Sequence, residues 1–236
     1  MLVAVGIIGL LAFPLFAGVG WYSTTAQSFG SPWNSGMMGQ WSGERQTPPP
    51  APVTTLDDAK AVAQEYLASL QNPNLAIKEI MEFQYNFYIV YYEKDTGIGA
   101  FEMLIWKEAP PSGMMGGGMM GGGNIMAGVV TPEPGPNMMW NTKYSMMRGM
   151  MGSRWQTSTS SQMEISEQDA KSIAENYLSQ NFPGAHVEGV ASFYGYYTID
   201  FEKDGKIIGM LSVNGYSGQV WSHSWHGAFI QEVTFS

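Results

Sequence analysis

Two stretches decide the fold, TLDDAKAVAQEYLASL (residues 55–70) and SEQDAKSIAENYLSQN (residues 166–181). Asp-Ala-Lys and Tyr-Leu recur in both at one offset, so the stretches are copies of one pattern. In each copy the apolar residues recur at intervals of three and four, which predicts an amphipathic helix. Each copy opens with Thr or Ser and carries Asp three residues later, the spacing of a helix N-cap with an acid in the first turn.

The repeat continues into strands beyond the helices. FQYNFYIVYYEKDTG (83–97) aligns with FYGYYTIDFEKDG (193–205), and both are rich in aromatic and β-branched residues before a turn signal. GAFEMLIW (99–106) aligns with IIGMLSV (207–213), and a third short strand follows in each copy. The sequence therefore predicts an α+β fold of two tandem helix–strand–strand–strand units, each an antiparallel sheet packed on one helix.

The two copies differ in the loop between their second and third strands. The second copy uses the short turn NGYSG (214–218), whereas the first contains SGMMGGGMMGGGNIM (112–126). We interpret residues 109–127 as a Met/Gly insertion in a hairpin loop, which the fold itself does not need.

An apolar run precedes both units. The stretch from Leu2 to Trp21 carries no charge and is long enough to cross a bilayer as a helix. Residues 1–26 are therefore predicted to form an apolar helix, as a membrane anchor or as a cleaved signal peptide. No Lys or Arg occurs before Arg45, so the positive-inside rule gives no orientation. Both alternatives predict an extracytoplasmic protein, either membrane-anchored or secreted.

Composition sets the remaining boundaries. Residues 27–53 are rich in Pro, Gly and Ser and are predicted to be a linker. The first unit is predicted to span 54–144, and a Met/Ser-rich linker to span 145–163. The second unit then spans 164–236.

The order of these motifs resembles the PepSY family. The resemblance rests on the pattern D-A-x-x-[IVA]-A-x-x-Y-L, an aromatic strand ending in Glu-Lys-Asp, and a hairpin ending in G-x-V-W. It covers residues 55–106, 128–140 and 165–230. PepSY domains are small extracytoplasmic α/β modules with no invariant catalytic motif. The resemblance thus implies a non-catalytic binding or regulatory protein, for example an accessory subunit of a membrane complex, and it implies no active-site residue.

Composition also argues against several functions. A formal net charge of −9 disfavours nucleic-acid partners, because phosphate binding needs a basic surface. The absence of cysteine removes disulfides, zinc–thiolate sites and thiol nucleophiles. The chain contains no G-x-S-x-G, H-E-x-x-H or P-loop motif, so we expect no enzymatic activity.

Methionine and histidine supply the candidate metal ligands. The chain has 18 methionines, many of them in pairs, and thioethers are soft ligands that suit Cu(I). Two histidines three residues apart follow the third strand of the second unit. The copper hypothesis uses Met114, Met115, Met119, Met120, His223 and His226. The alternatives are that the Met/Gly run is a low-complexity spacer and that the imidazoles pack among aromatic residues, in which case no cofactor is required.

Each unit ends in an aromatic extension, PEPGPNMMWNTKY (132–144) in the first and WSHSWHGAF (221–229) in the second. Such a segment either covers the other unit's sheet or forms an exposed patch for a partner. The candidate interaction residues are Met138, Met139, Trp140, Trp221, Trp225 and Phe229. The leading expectation is a protein partner at the cell envelope. The alternative is self-assembly through edge strands into an extracellular filament or surface layer. Residues 1–26, if retained, would add contact with the membrane.

Overall fold

The computed structural model of the protein describes residues 52–108, 127–145 and 162–235. The predicted N-terminal apolar helix, most of both linkers and the Met/Gly run lie outside the described residues. Among the described residues, no helix has both the length and the hydropathy that crossing a membrane requires.

Three helices and nine strands form the described part of the chain. In chain order they are α1 (Leu56–Ser69), β1 (Leu75–Phe83), β2 (Asn86–Glu93), β3 (Gly99–Trp106), β4 (Val130–Pro132), α2 (Pro136–Met139), α3 (Glu167–Asn181), β5 (His186–Phe193), β6 (Tyr196–Lys203), β7 (Lys206–Asn214), β8 (Val220–Ser222) and β9 (Phe229–Thr234). We call residues 52–145 the first half and residues 162–235 the second half.

All nine strands belong to one sheet, in the order β8-β7-β6-β5-β3-β2-β1-β9, with β4 paired to β3. Neighbouring strands run antiparallel, except that β3 and β5 run parallel and meet at one residue pair, Gly99 and Phe193. A fold of the α+β class with a mostly antiparallel sheet is thus confirmed. The sequence analysis assigned each unit its own sheet, whereas the strands of both halves share one. Gly99 permits this junction, because a Cβ there would lie 2.5 Å from the Phe193 ring.

The helices begin where the sequence predicts. The Thr55 hydroxyl accepts a hydrogen bond from the Asp58 N–H at 3.1 Å, and the Asp58 carboxylate accepts one from the Thr55 N–H. Ser166 likewise accepts a hydrogen bond from the Asp169 N–H at 3.1 Å. Both predicted N-caps are confirmed, and each satisfies N–H groups that have no partner within the helix.

Three strands were missed by the sequence analysis. The structure places β1 and β5 directly after the helices, and the stretch 83–97, interpreted as one strand, contains the end of β1, a turn and β2. A β-bulge between Ile77 and Glu79, and another between Val187 and Gly189, interrupts the alternation by which strands are recognised. The third missed strand, β9, pairs with β1 at the far edge of the sheet.

Three clusters of buried apolar residues form the core. One packs α1 on the first half around Ala63 and Ile80, and another packs α3 on the second half around Ala174 and Leu211. The third, which we call the central cluster, contains strand residues from both halves and none from α1 or α3. Its members include Tyr88, Trp106, Phe193, Tyr196, Met210 and Trp225. The two halves of the sheet therefore pack on each other through the faces turned away from the helices.

The predicted linkers reach into the folded part. Val53, assigned to the linker at 27–53, is buried at 3% exposure and packs with the first helix. Met163, assigned to the linker at 145–163, packs against the cluster under α3. Both are apolar residues at the ends of Pro- or Ser-rich stretches, where composition alone gives an imprecise boundary.

Candidate metal centre

Three buried polar side chains from distant parts of the sequence meet beside the central cluster. Glu133 follows β4, and its N–H donates to the Glu102 carbonyl on β3 at 3.0 Å. His223 follows β8, and its N–H donates to the Met210 carbonyl at 3.0 Å. His226 lies three residues further on, where the chain passes from the second half to the first. The pairing of short strands at β3–β4 and β7–β8 thus brings one carboxylate to two imidazoles.

The three side chains converge on one carboxylate oxygen. Oε1 of Glu133 lies 3.0 Å from Nε2 of His226 and 3.2 Å from Nδ1 of His223. The Glu133 and His223 side chains are fully buried, and that of His226 is 3% exposed. One potential ligand atom from each residue lies within 4.8 Å of the others. Among the described residues, the other oxygen of Glu133 and Nδ1 of His223 have no hydrogen-bond partner.

Asn86 determines which nitrogen of His226 carries a proton when the ring is neutral. The Asn86 amide donates to the Trp225 carbonyl at 3.0 Å, so its oxygen is the atom that lies 2.9 Å from Nδ1 of His226. That oxygen can only accept a hydrogen bond, so Nδ1 must donate. In the neutral ring Nε2 then carries a lone pair, and this lone pair points toward Glu133.

A chain of hydroxyl groups does the same for His223. The Thr198 hydroxyl donates to Glu102 Oε1 at 2.6 Å, so the Ser212 hydroxyl, 3.3 Å from Thr198, has to donate to Thr198. Ser212 Oγ then accepts from Nε2 of His223 at 2.9 Å. A neutral ring that donates through Nε2 has its lone pair on Nδ1, the nitrogen nearest Glu133. In the neutral rings, the two nitrogens that carry the lone pairs therefore both lie next to one carboxylate oxygen.

The electrostatics of this arrangement call for a positive charge between the groups. Burial alone would raise the pKa of Glu133, but the imidazoles of His223 and His226 outweigh it and hold the pKa well below its usual range. Burial lowers the pKa of His226, although the hydrogen bond and the negative charge of Glu133 act to raise it. A carboxylate facing two lone pairs is repulsive, so either a proton or a metal cation has to bridge them.

Aromatic rings enclose the three side chains. Phe83 stacks on His226 with a centroid distance of 4.5 Å, and Trp225 stacks on His223 at 4.8 Å. The indole N–H of Trp225 also donates to Oε1 of Glu133 at 3.2 Å. These rings fix the imidazoles in orientation and exclude bulk water, which strengthens any electrostatic interaction at this position.

A second buried carboxyl group lies next to this centre. Oε1 of Glu102 on β3 accepts hydrogen bonds from the hydroxyls of Tyr88 at 2.5 Å and Thr198 at 2.6 Å, and Oε2 is hydrogen-bonded to the Tyr196 hydroxyl at 2.7 Å. Burial, reinforced by the charge of Glu133, raises the pKa of Glu102 well above its usual value. Glu102 therefore joins strands of the two halves as a neutral acid and is not a metal ligand.

Ser212, His223 and Glu133 also have the order of a Ser–His–acid triad. The arrangement does not suit nucleophilic catalysis, however. Ser212 is fully buried, so a substrate carbonyl has no approach to its hydroxyl. Although Nδ1 of His223 lies 3.2 Å from Glu133, it is off the line that a hydrogen bond requires, whereas the acid of a triad must orient the imidazole through such a bond.

The sequence analysis identified part of this centre. His223 and His226 were predicted as ligands, and the structure brings them together. The other predicted ligands, Met114, Met115, Met119 and Met120, lie outside the described residues. Glu133 was missed because it is 90 positions from His223 in a Pro-Glu-Pro segment that matches no metal motif. Two sequence signals were available. Glu133 stands between two prolines, and the otherwise apolar strand GAFEMLIW contains an acidic residue, Glu102.

The predicted interaction residues pack mainly between the two halves. Met138 and Trp225 are buried at 4% and 5% exposure, and Met139 is 42% exposed. Trp140 and Trp221 meet edge to face at a centroid distance of 6.0 Å. Phe229 packs against Phe83 in the same manner. For Met138 and Trp225, the interpretation as an exposed patch is wrong, because both are buried, and Trp225 belongs to the central cluster.

Comparison with known proteins adds little to this picture. No family model matches the chain, and a comparison with curated protein sequences finds no match. Among solved structures, the chain is similar to the C-terminal domain of Bacillus megaterium YpeB, with 14% sequence identity and a TM-score of 0.26. The match covers 73% of this chain and 63% of that chain, which is less than two thirds of its length. Similarity at this level supports no inference, so the PepSY resemblance stays a prediction from sequence.

Proposed function

We propose that this protein binds a first-row transition-metal ion through Glu133, His223 and His226, and that its role is binding and not catalysis. One observation carries the proposal: two buried imidazole nitrogens that carry lone pairs in the neutral rings lie 3.0 and 3.2 Å from a single buried carboxylate oxygen. Ligand atoms about 2.0–2.1 Å from a tetrahedral metal ion lie about 3.3 Å from one another. The two separations from Glu133 are close to that value, and all three ligand atoms lie within 4.8 Å of one another.

The ligand set favours copper or zinc among the common ions. Imidazole nitrogen suits both, and a site of this kind binds Cu²⁺ more tightly than Zn²⁺ because of the Irving–Williams order. Asn86 and Ser212 hold the outer nitrogens of the two rings, which is the support that metal-binding histidines usually have. The proposal keeps copper from the sequence analysis but does not require the methionines of the Met/Gly run.

We also propose that the two halves are tandem PepSY-like units. In support, α1 with β1–β4 and α3 with β5–β8 follow the same order, and both units carry a β-bulge in the first strand after the helix. The apolar run at residues 1–26 supports an extracytoplasmic location. A protein partner at the envelope or self-assembly remains a further proposal, which copurification and light scattering can test.

Metal titration of the full chain tests the central proposal. Purified protein, stripped of metal with a chelator, is titrated with Cu²⁺ and Zn²⁺ by calorimetry, and tryptophan fluorescence is followed in parallel because Trp225 stacks on His223. We expect one ion per centre and a loss of affinity of more than about 100-fold in His226→Gln and Glu133→Gln, beyond the effect of removing a supporting residue.

His186→Gln is the matched control, since the His186 side chain is 74% exposed and outside the centre. It should bind metal like the unmodified chain. Equal affinity in His226→Gln and in the control would overturn the proposal, and so would the absence of binding by either ion to a folded chain. In that case a proton bridges Glu133 and the imidazoles.

A further inference from the structure

The chain crosses from one edge of the sheet to the other through the segment that carries the histidines of the candidate metal centre. Strand β8 lies at one end of the strand order and β9 at the opposite end, paired with β1. The connection between them, residues 223–228, carries both histidines of the centre. Any restraint on His223 and His226 is therefore a restraint on the segment that delivers β9 to the first half.

Strand β9 has little of its own to hold it in place. Most of its side chains are exposed, including Ile230 at 53%, and its backbone pairs on one side with β1 from Glu79 to Phe83. Its apolar contacts are the edge-to-face packing of Phe229 on Phe83 at 5.7 Å and the packing of the half-buried Val233 against the cluster under α1. An edge strand with so little buried area is among the first elements of a protein to open.

The crossing segment docks tightly on the turn between β1 and β2. The carbonyl of His226 accepts from the Tyr85 N–H at 3.1 Å, and the carbonyl of Ala228 accepts from the Gln84 N–H at 2.8 Å. Gly227 has a φ of +77°, and a Cβ there would lie 2.8 Å from Gln84 Cβ. The position of the His226 side chain and the start of β9 are thus fixed together.

We propose that the metal ion controls the docking of β9 on β1. This inference rests on the proposed function and adds a consequence to it. The ion joins His223 and His226, just ahead of β9, to Glu133, which is held on β3 by the hydrogen bond of its N–H to Glu102. Without the ion this cross-link is missing and only a proton bridges the carboxylate and an imidazole, so the crossing segment loosens and β9 separates from β1.

Hydrogen–deuterium exchange of the full chain tests this inference. Peptides covering β9 and β1 are compared with Zn²⁺ bound and with the metal removed, and peptides from β6 and β7 serve as the internal reference. We expect exchange in β9 to rise at least about tenfold on metal removal, an opening that remains local, while β6 and β7 change little. His186→Gln should respond to zinc like the unmodified chain.

A truncated chain that ends at Ala228 supplies the reciprocal measurement. If the metal favours the docking of β9, the loss of β9 must weaken Zn²⁺ binding by the same factor, because coupling between two binding events is reciprocal. Unchanged β9 exchange in a chain that demonstrably binds zinc would overturn this inference and leave the proposed function standing. Failure of the intact chain to bind either metal would overturn both.

Discussion

Glu102 offers the sharpest test of how the two halves are joined. Its carboxyl group is fully buried and is hydrogen-bonded to hydroxyls on both halves, those of Tyr88, Thr198 and Tyr196. Burial raises the pKa of Glu102 well above its usual value, which favours the neutral acid. The replacements Glu102→Gln and Glu102→Ala should therefore have very different effects on the free energy of unfolding.

The magnitudes follow from the hydrogen bonds. In Glu102→Gln the amide oxygen still accepts from Tyr88 and Thr198, and the amide N–H₂ donates to Tyr196 as the acid O–H does. We expect a change below about 1 kcal/mol, the scale of one ordinary hydrogen bond. In Glu102→Ala three buried hydroxyls lose their hydrogen-bond partner, at about 1–3 kcal/mol each, and a cavity remains. A loss of at least about 3 kcal/mol is expected.

Urea unfolding followed by circular dichroism, at a series of pH values, measures both effects. Because the pKa of Glu102 is raised in the folded state, its contribution to stability is complete below the unfolded pKa and is lost as pH rises through the folded pKa. The unmodified chain should therefore lose stability relative to Glu102→Gln as the pH rises. If Glu102→Gln is as destabilising as Glu102→Ala near pH 6, or if its stability falls in parallel with that of the unmodified chain, the carboxyl is not a neutral acid and the reasoning is refuted.

Three further predictions follow from other positions. Burial raises the pKa of Asp200 well above its usual value. Asp200→Asn should therefore raise the free energy of unfolding by about 1 kcal/mol at pH 7 and have no effect near pH 3. A lower free energy of unfolding at pH 7 would contradict this prediction. Gly99→Ala should lower thermal stability by about 1–3 kcal/mol through overpacking of the β3–β5 junction. Gly189→Ala, whose new methyl group finds no atom closer than 3.8 Å, is the matched control and should have a much smaller effect. Ser212→Ala should weaken Zn²⁺ binding about 10–100-fold in calorimetry because it removes the partner of His223, and unchanged affinity would count against that role.

The parts of the fold that local signals encode could be predicted from the sequence. The N-caps at Thr55 and Ser166, the two helices and the hairpin after β6 each depend on residues within a few positions of one another. Strands β1 and β5 were not predicted, because their bulges at Ile77 and Val187 break the alternation of apolar and polar residues that marks a strand. The single sheet could not be foreseen, since it depends on one contact between Gly99 and a residue from the other half.

The candidate centre was predictable to the same extent. His223 and His226 stand together in the sequence, so their spacing alone suggested a shared site. Glu133 reaches them only through the folding of the sheet, and no short motif links residues so far apart. The hydroxyls that orient the imidazole of His223 could not be predicted. Ser212 and Thr198 match no sequence motif, and their role depends on contacts between strands that only the folded structure shows.

The pairing of the last strand with the first also constrains when the molecule can finish folding. The hydrogen bond between Gln231 and Glu82 joins residues 149 positions apart, so nearly the whole described sequence must be available before this edge of the sheet can close. Contacts of such long range slow folding, because the entropy of closing a long loop is lost before any contact compensates for it. A chain made or exported from its N-terminus therefore carries an unpaired β1 edge until β9 emerges, and during that interval it is most exposed to aggregation and proteolysis.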